Sequence, residues 1–208
     1  MESVMSVLSQ DWLLGAVVGA SLAYLAEWRS NRARRGEEQK VAAMLVASDL
    51  RLWTERTTSM IFNLKNWLTS DGQGGRRATE ILDFPFEKSL DQVARLKSAD
   101  AVAVFDLIHA KNAVNDEIDG LVEYGSEDDI YDVLLGRSSK LYLDAIEIYR
   151  RLADQVGWKG TPFSDKVTDA MRTEVKRVEE IERNARKENA LIPKGGSPSL
   201  KNTPDHES

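Results

Sequence analysis

Along the chain, apolar residues form first an unbroken run, then a series of helical stripes, and finally thin out into a polar end. Fifteen consecutive residues from Trp12 to Ala26 carry no charge, between Asp11 and Glu27. Beyond Glu37 the pattern becomes periodic. Val46, Leu50, Trp53, Thr57, Met60, Ile61, Leu64 and Trp67 recur in steps of three and four, which predicts a helix to Ser70 with one apolar face. The uncharged run can continue through the basic segment into this helix, and a break, if there is one, belongs near Gly36. DGQGG, Asp71 to Gly75, ends the helix in a loop.

Shorter elements follow. A helical stretch is predicted from Pro85, which suits a first helical turn, using Leu90, Val93 and Leu96 and breaking near Lys97–Ser98. Residues 99–124 read as a helix with Val102, Phe105, Ile108, Asn112, Asn115, Ile118 and Val122 along one side, the two asparagines at its solvent edge, and Gly125 as C-cap. Ser126 then stands as N-cap, with Glu127, Asp128 and Asp129 in a first turn whose dipole favours acids. That helix runs to Val156, burying Ile130, Val133, Leu134, Leu141, Ile146, Tyr149 and Leu152, and Gly136 weakens its middle.

After a loop over 157–163, Ser164 caps a last helix reaching about Asn189, with a narrow stripe of Val167, Met171, Val175, Val178 and Ile181. Glu179–Arg183 and Glu182–Arg186 form i,i+4 pairs in the favourable order. From Leu191 the composition turns to Pro, Gly and Ser. No alternating β-branched run is long enough for a sheet, and sustained heptads are absent. The predicted class is all-α: one N-terminal transmembrane helix, a cytoplasmic bundle of four or five helices, and a disordered C-terminal tail. The divisions are 1–28 (N-terminal segment and anchor), 29–40 (basic segment), 41–190 (bundle) and 191–208 (tail).

Charge decides how the first apolar run is read. Residues 1–28 hold three acids and no base, whereas 29–40 hold five bases against two acids. A secretory signal needs its positive region ahead of the apolar core, so this order fits an anchor with its N-terminus outside. Trp12 and Trp28 sit one at each end, where indole rings favour the headgroup level, followed by Arg29, Arg32, Arg34 and Arg35. This places the chain in the inner (plasma) membrane with its bundle in the cytoplasm. Fifteen residues span about 22 Å, short of the ~30 Å core, so Val4, Met5, Val7 and Leu8 are needed as an extension. Gly15, Gly19 and Ala23 recur at four-residue steps, a spacing that lets two helices in lipid approach closely.

The remaining composition mainly excludes. There is no cysteine, hence no disulfide, thiolate nucleophile or Cys-based zinc site. A formal net charge of −6 argues against wholesale nucleic-acid binding. Of the two histidines, only His109, three residues after Asp106, lies on a helix, and one such pair cannot complete a bundle metal site. GQGGRR, Gly72 to Arg77, lacks phosphate-loop spacing. No catalytic, cofactor-binding or metal-binding residue is therefore assigned, and an enzyme is not expected. The expected function is a membrane-anchored interaction or assembly protein. Its expected partners are anionic lipid headgroups near the Arg cluster and either a second copy or another membrane protein. The alternative is a ligand-responsive sensor binding a small molecule between its helices near His109, Asn112 and Asn115.

Overall fold

The computed structural model describes the backbone of residues 2–75, 80–124, 127–159 and 163–191, and the side chains of 21–75, 80–123, 129–159 and 163–187. Five α-helices and one 3₁₀ turn make up these residues: α1 (Glu2–Thr69), the turn Pro85–Lys88, α2 (Leu90–Ala94), α3 (Ser98–Tyr124), α4 (Glu127–Val156) and α5 (Asp165–Leu191). Among the described residues there is no strand. The all-α class is as expected. The calls on Gly125, Ser126 and the tail beyond 191 lie outside the described residues.

The periodic stripe of α1 forms the floor of the core. Val46, Leu50, Trp53, Ile61 and Leu64 are buried, joined by Ala47 between them and by Ala42 and Ala43 one turn earlier. Each large apolar side chain so buried contributes about 1.5–3 kcal/mol. The helix ends where expected: Asp71, Gly72 and Gly75 take positive φ, and at Gly75 a Cβ would lie 2.1 Å from the Asn63 carbonyl oxygen. The helix is continuous through Gly36, and α1 runs for 68 residues. One glycine costs a helix only about 1 kcal/mol, and Ala33, Arg34, Arg35, Glu37 and Glu38 around it are good helix formers.

α4 is the central element, packed against α1, α3 and α5. It runs antiparallel to α1, with Tyr131 near its start meeting Trp67 at 5.2 Å between ring centroids. α3 is antiparallel to α4 as well: Gln155 donates to Asp100 at one end and Arg137 pairs with Glu117 at the other. α5 lies back along α4, with Ser139 against Met171 and Arg137 against Glu182. Gly136 is where these two helices cross. A Cβ there would come within 2.7 Å of the Val178 Cβ, so its place is set by α5 as well as by the propensity of α4.

Two sequence expectations change in detail. The helical stretch from Pro85 is split at Ser89, whose φ of −148° and ψ of 73° are not helical, leaving Leu90 exposed. In α3 the buried stripe is Val104, Leu107, Ile108, Lys111, Val114 and Ile118. Val102 and Val122 face outward, so the true stripe is rotated by part of a turn from the expected one. The segment before the turn is sealed onto α1 by aromatics: Trp53 donates to the Leu82 carbonyl at 2.8 Å and packs on Phe84, which stacks on Phe86.

Candidate functional site

The core begins at Ala42, but α1 begins forty residues earlier. At 1.5 Å per residue this leaves about 60 Å of helix projecting from the end of the bundle where α4 finishes and α3 starts. Its described part is bare. Leu22, Tyr24, Leu25 and Trp28 are 62%, 70%, 52% and 48% exposed and share about half of the helix circumference, with Ala23, Ala26 and Glu27 on the other half. Of the residues expected at the membrane interface, Trp28, Arg29, Arg32, Arg34 and Arg35 are all exposed on this projection. The Arg32 guanidinium lies 5.4 Å from the centroid of the Trp28 ring, a cation–π contact. Arg34 pairs with Glu38 at 3.2 Å.

Ala23, expected at a helix-packing row, is also exposed. Trp12, Gly15 and Gly19 fall on the helical backbone, with side-chain surroundings outside the described residues. Among the described residues no helix is long and apolar enough to cross a membrane. Glu27 stands between Ala26 and Trp28 on the projection, and Arg29 comes two positions after it.

Where α1 enters the bundle, its outward face stays apolar. Val41, Met44, Leu45 and Leu52 are exposed, opposite the buried stripe. Beside them a hollow of about 310 Å³ separates α1 from α2, lined by Glu38, Val41, Ala42, Leu45, Gln92 and Arg95.

Inside the bundle two ionic clusters were not legible in the sequence. Lys111 is only 2% exposed, and its ammonium donates to Asp83 at 2.6 Å and to both oxygens of Glu87 at 2.9 Å. Burial alone would lower its pKa, but the hydrogen bonds and charges of the two carboxylates outweigh that and raise it. A lysine held protonated is a clamp, not a nucleophile. Glu87 also accepts from the Phe84 N–H at 2.9 Å, so the cluster fixes the whole 83–87 segment on α3. The second cluster holds α5. Glu174, 8% exposed, meets Lys65 of α1 and Arg177, and Arg177 reaches Asp132 of α4 at 2.9 Å. Burial tends to raise the Glu174 pKa, but hydrogen bonds to Lys65 and Arg177 dominate and lower it.

The polar groups expected near an interior ligand do not line one. His109 and Asn112 are exposed. Asn115 is used structurally, accepting from the Ile81 N–H at 3.0 Å and donating to the Ile81 carbonyl at 3.4 Å. Among the described residues no three metal-ligating side chains converge. What the described geometry offers is surface: a bare apolar helix, a collar of arginines, and an apolar face leading down from them.

Set against protein-family models, curated protein sequences and solved structures, the chain matches none of them.

Proposed function

We propose that this chain is a single-pass membrane protein that presents a cytoplasmic helical bundle for assembly, with itself or with another membrane protein. The observation that carries this reading is the exposure of Leu22, Tyr24, Leu25 and Trp28 on a part of α1 that no other described residue covers. Together with the uncharged run from Trp12 to Ala26 they make a stretch that an apolar surround would stabilise, and lipid supplies one. The arginines fall just beyond this stretch, on the side that stays inside under the charge rule for membrane insertion. Each basic side chain near an anionic headgroup adds about 1 kcal/mol. Trp28 and Trp12 mark the two interfacial levels, and modest bilayer thinning accommodates a short uncharged run. The small-residue row Gly15, Gly19 and Ala23 favours helix pairing within the bilayer.

Alkaline carbonate extraction of membranes from cells expressing the full chain tests the reading. The wild-type chain is expected to remain in the pellet, and Leu22→Lys/Leu25→Lys to move to the supernatant with its bundle folded, since neither residue touches the core. Extraction of the wild-type chain by carbonate would refute anchoring.

A further inference from the structure

We propose that one side of α1, formed by Tyr24, Trp28, Asn31, Arg32 and Arg35, binds the phosphate of an anionic phospholipid. The site rests on the anchor proposed above, which supplies the bilayer. It differs from diffuse attraction to a basic segment in placing the headgroup on one side of the helix and on two of its four arginines.

Register brings these residues together. Tyr24, Trp28, Asn31 and Arg35 follow steps of four, three and four, so they share one side of the helix, and Arg32 flanks them one turn beyond Trp28. With Glu27 they line a single hollow on that side. Level makes the hollow continuous with the bilayer. The uncharged run ends at Ala26, and Arg32 and Arg35 stand about 9 and 14 Å beyond it along the axis. The Trp28 indole favours the headgroup level, and arginine side chains are long enough to reach back toward it.

Charge selects the occupant. The Arg32 guanidinium is steadied by the Trp28 ring, 5.4 Å from its centroid, which leaves N–H groups to meet a phosphate in forked geometry. Among the described residues no carboxylate pairs with Arg32 or Arg35. Arg34 is committed elsewhere, paired with Glu38 at 3.2 Å and lining the hollow beside α2. Arg29 points about a third of a turn away from this side. Glu27 stands at the edge opposite Arg32 and steers an anion toward the two arginines. Two arginines against one glutamate leave the hollow net positive. That complements phosphatidylglycerol, which carries a net negative charge, over phosphatidylcholine, which carries none.

The full chain in detergent micelles is given equal phosphatidylglycerol and phosphatidylcholine, and native mass spectrometry counts each lipid bound. Wild type is expected to hold phosphatidylglycerol about tenfold over phosphatidylcholine, and Arg32→Gln/Arg35→Gln to bring the two nearly level. Arg29→Gln/Arg34→Gln removes the same charge from the same segment but is expected to lower the preference only about twofold. Trp28→Leu keeps an apolar side chain while releasing Arg32, and is expected to lower it about threefold. Equal losses from the two arginine pairs, or no preference in wild type, would overturn the site. Excess inorganic phosphate, against chloride at matched ionic strength, is expected to leave the lipid bound. Selective displacement would give these arginines to soluble phosphate and overturn a lipid occupant. Carbonate extraction of membranes holding the same chains separates the two readings. Wild-type chain stripped by carbonate removes the anchor and the site with it, whereas chain that stays embedded but shows no lipid preference removes the site alone.

Discussion

Replacing Gly136 by alanine tests the packing of α5 on α4 directly. By helix propensity alone the change is favourable by about 1 kcal/mol, since Gly136 lies in the interior of α4. The crossing with α5 opposes it. The new methyl would sit 2.7 Å from Val178 Cβ and Cγ2 and 2.8 Å from Cγ1, against an ordinary carbon–carbon separation of about 3.5–4.0 Å. Val178 is β-branched and helical, so its side chain is held near one rotamer and cannot swing away. α5 must therefore shift, loosening Met171 from Ser139 and Arg137 from Glu182 on either side.

Overpacking of this kind costs up to about 3 kcal/mol, which leaves a net loss of about 2 kcal/mol. For a chain of this size that is a fall in Tm of roughly 4–8 °C. Far-UV circular dichroism of the full chain in mild detergent, followed through thermal and urea unfolding, measures it. Gly120→Ala in α3, where a Cβ would meet nothing within 4 Å, serves as the control and is expected to stabilise by up to about 1 kcal/mol. Gly136→Ala/Val178→Ala is expected to recover most of the loss, giving strong non-additivity. A Gly136→Ala chain as stable as wild type, or effects that simply add, would refute the close crossing.

The two ionic clusters give predictions that differ in the direction of their pH dependence. Lys111→Met removes the charge shared by Asp83 and Glu87; because Asp83 is 76% exposed, the full cost of a broken buried pair is discounted to about 1–3 kcal/mol. The Lys111 pKa is raised in the folded chain, so its contribution is complete below the unfolded lysine pKa and disappears as pH rises through the folded value. Urea titrations should show wild type and Lys111→Met converging at alkaline pH, and a constant gap would count against the clamp. Glu174→Gln should cost about 1–2 kcal/mol at neutral pH, moderated by the half-exposed Lys65 and the 40% exposed Arg177. Here the folded pKa is lowered, so the contribution is present above the unfolded glutamate pKa near 4.5 and is lost as pH falls through the folded value. The difference between wild type and Glu174→Gln should vanish in acid, and a difference that persists there would argue against the charged pairing.

Local features of the sequence determined much of the architecture. The three-and-four spacing from Val46 to Leu64 marked the buried face of α1, because a helix brings such positions to one side whatever packs there. Asp71 to Gly75 marked its end, because positive φ falls most easily on glycine. Helix type was legible for α3, α4 and α5 for the same local reasons. Tertiary structure decided what local rules leave open. Which part of α3 turns inward depends on where α4 lies, and Lys111 is buried only because Asp83 and Glu87 come back across the fold to meet its ammonium. Asn115 looked like a residue at the edge of a stripe, but folding brought the Ile81 backbone within its reach. Gly136 looked like a weak point in a helix until Val178 was placed against it. The bareness of Leu22 to Trp28 is likewise a tertiary fact. Sequence showed an apolar run, but only the gathering of the core on residues from Ala42 onward left Leu22 to Trp28 uncovered among the described residues.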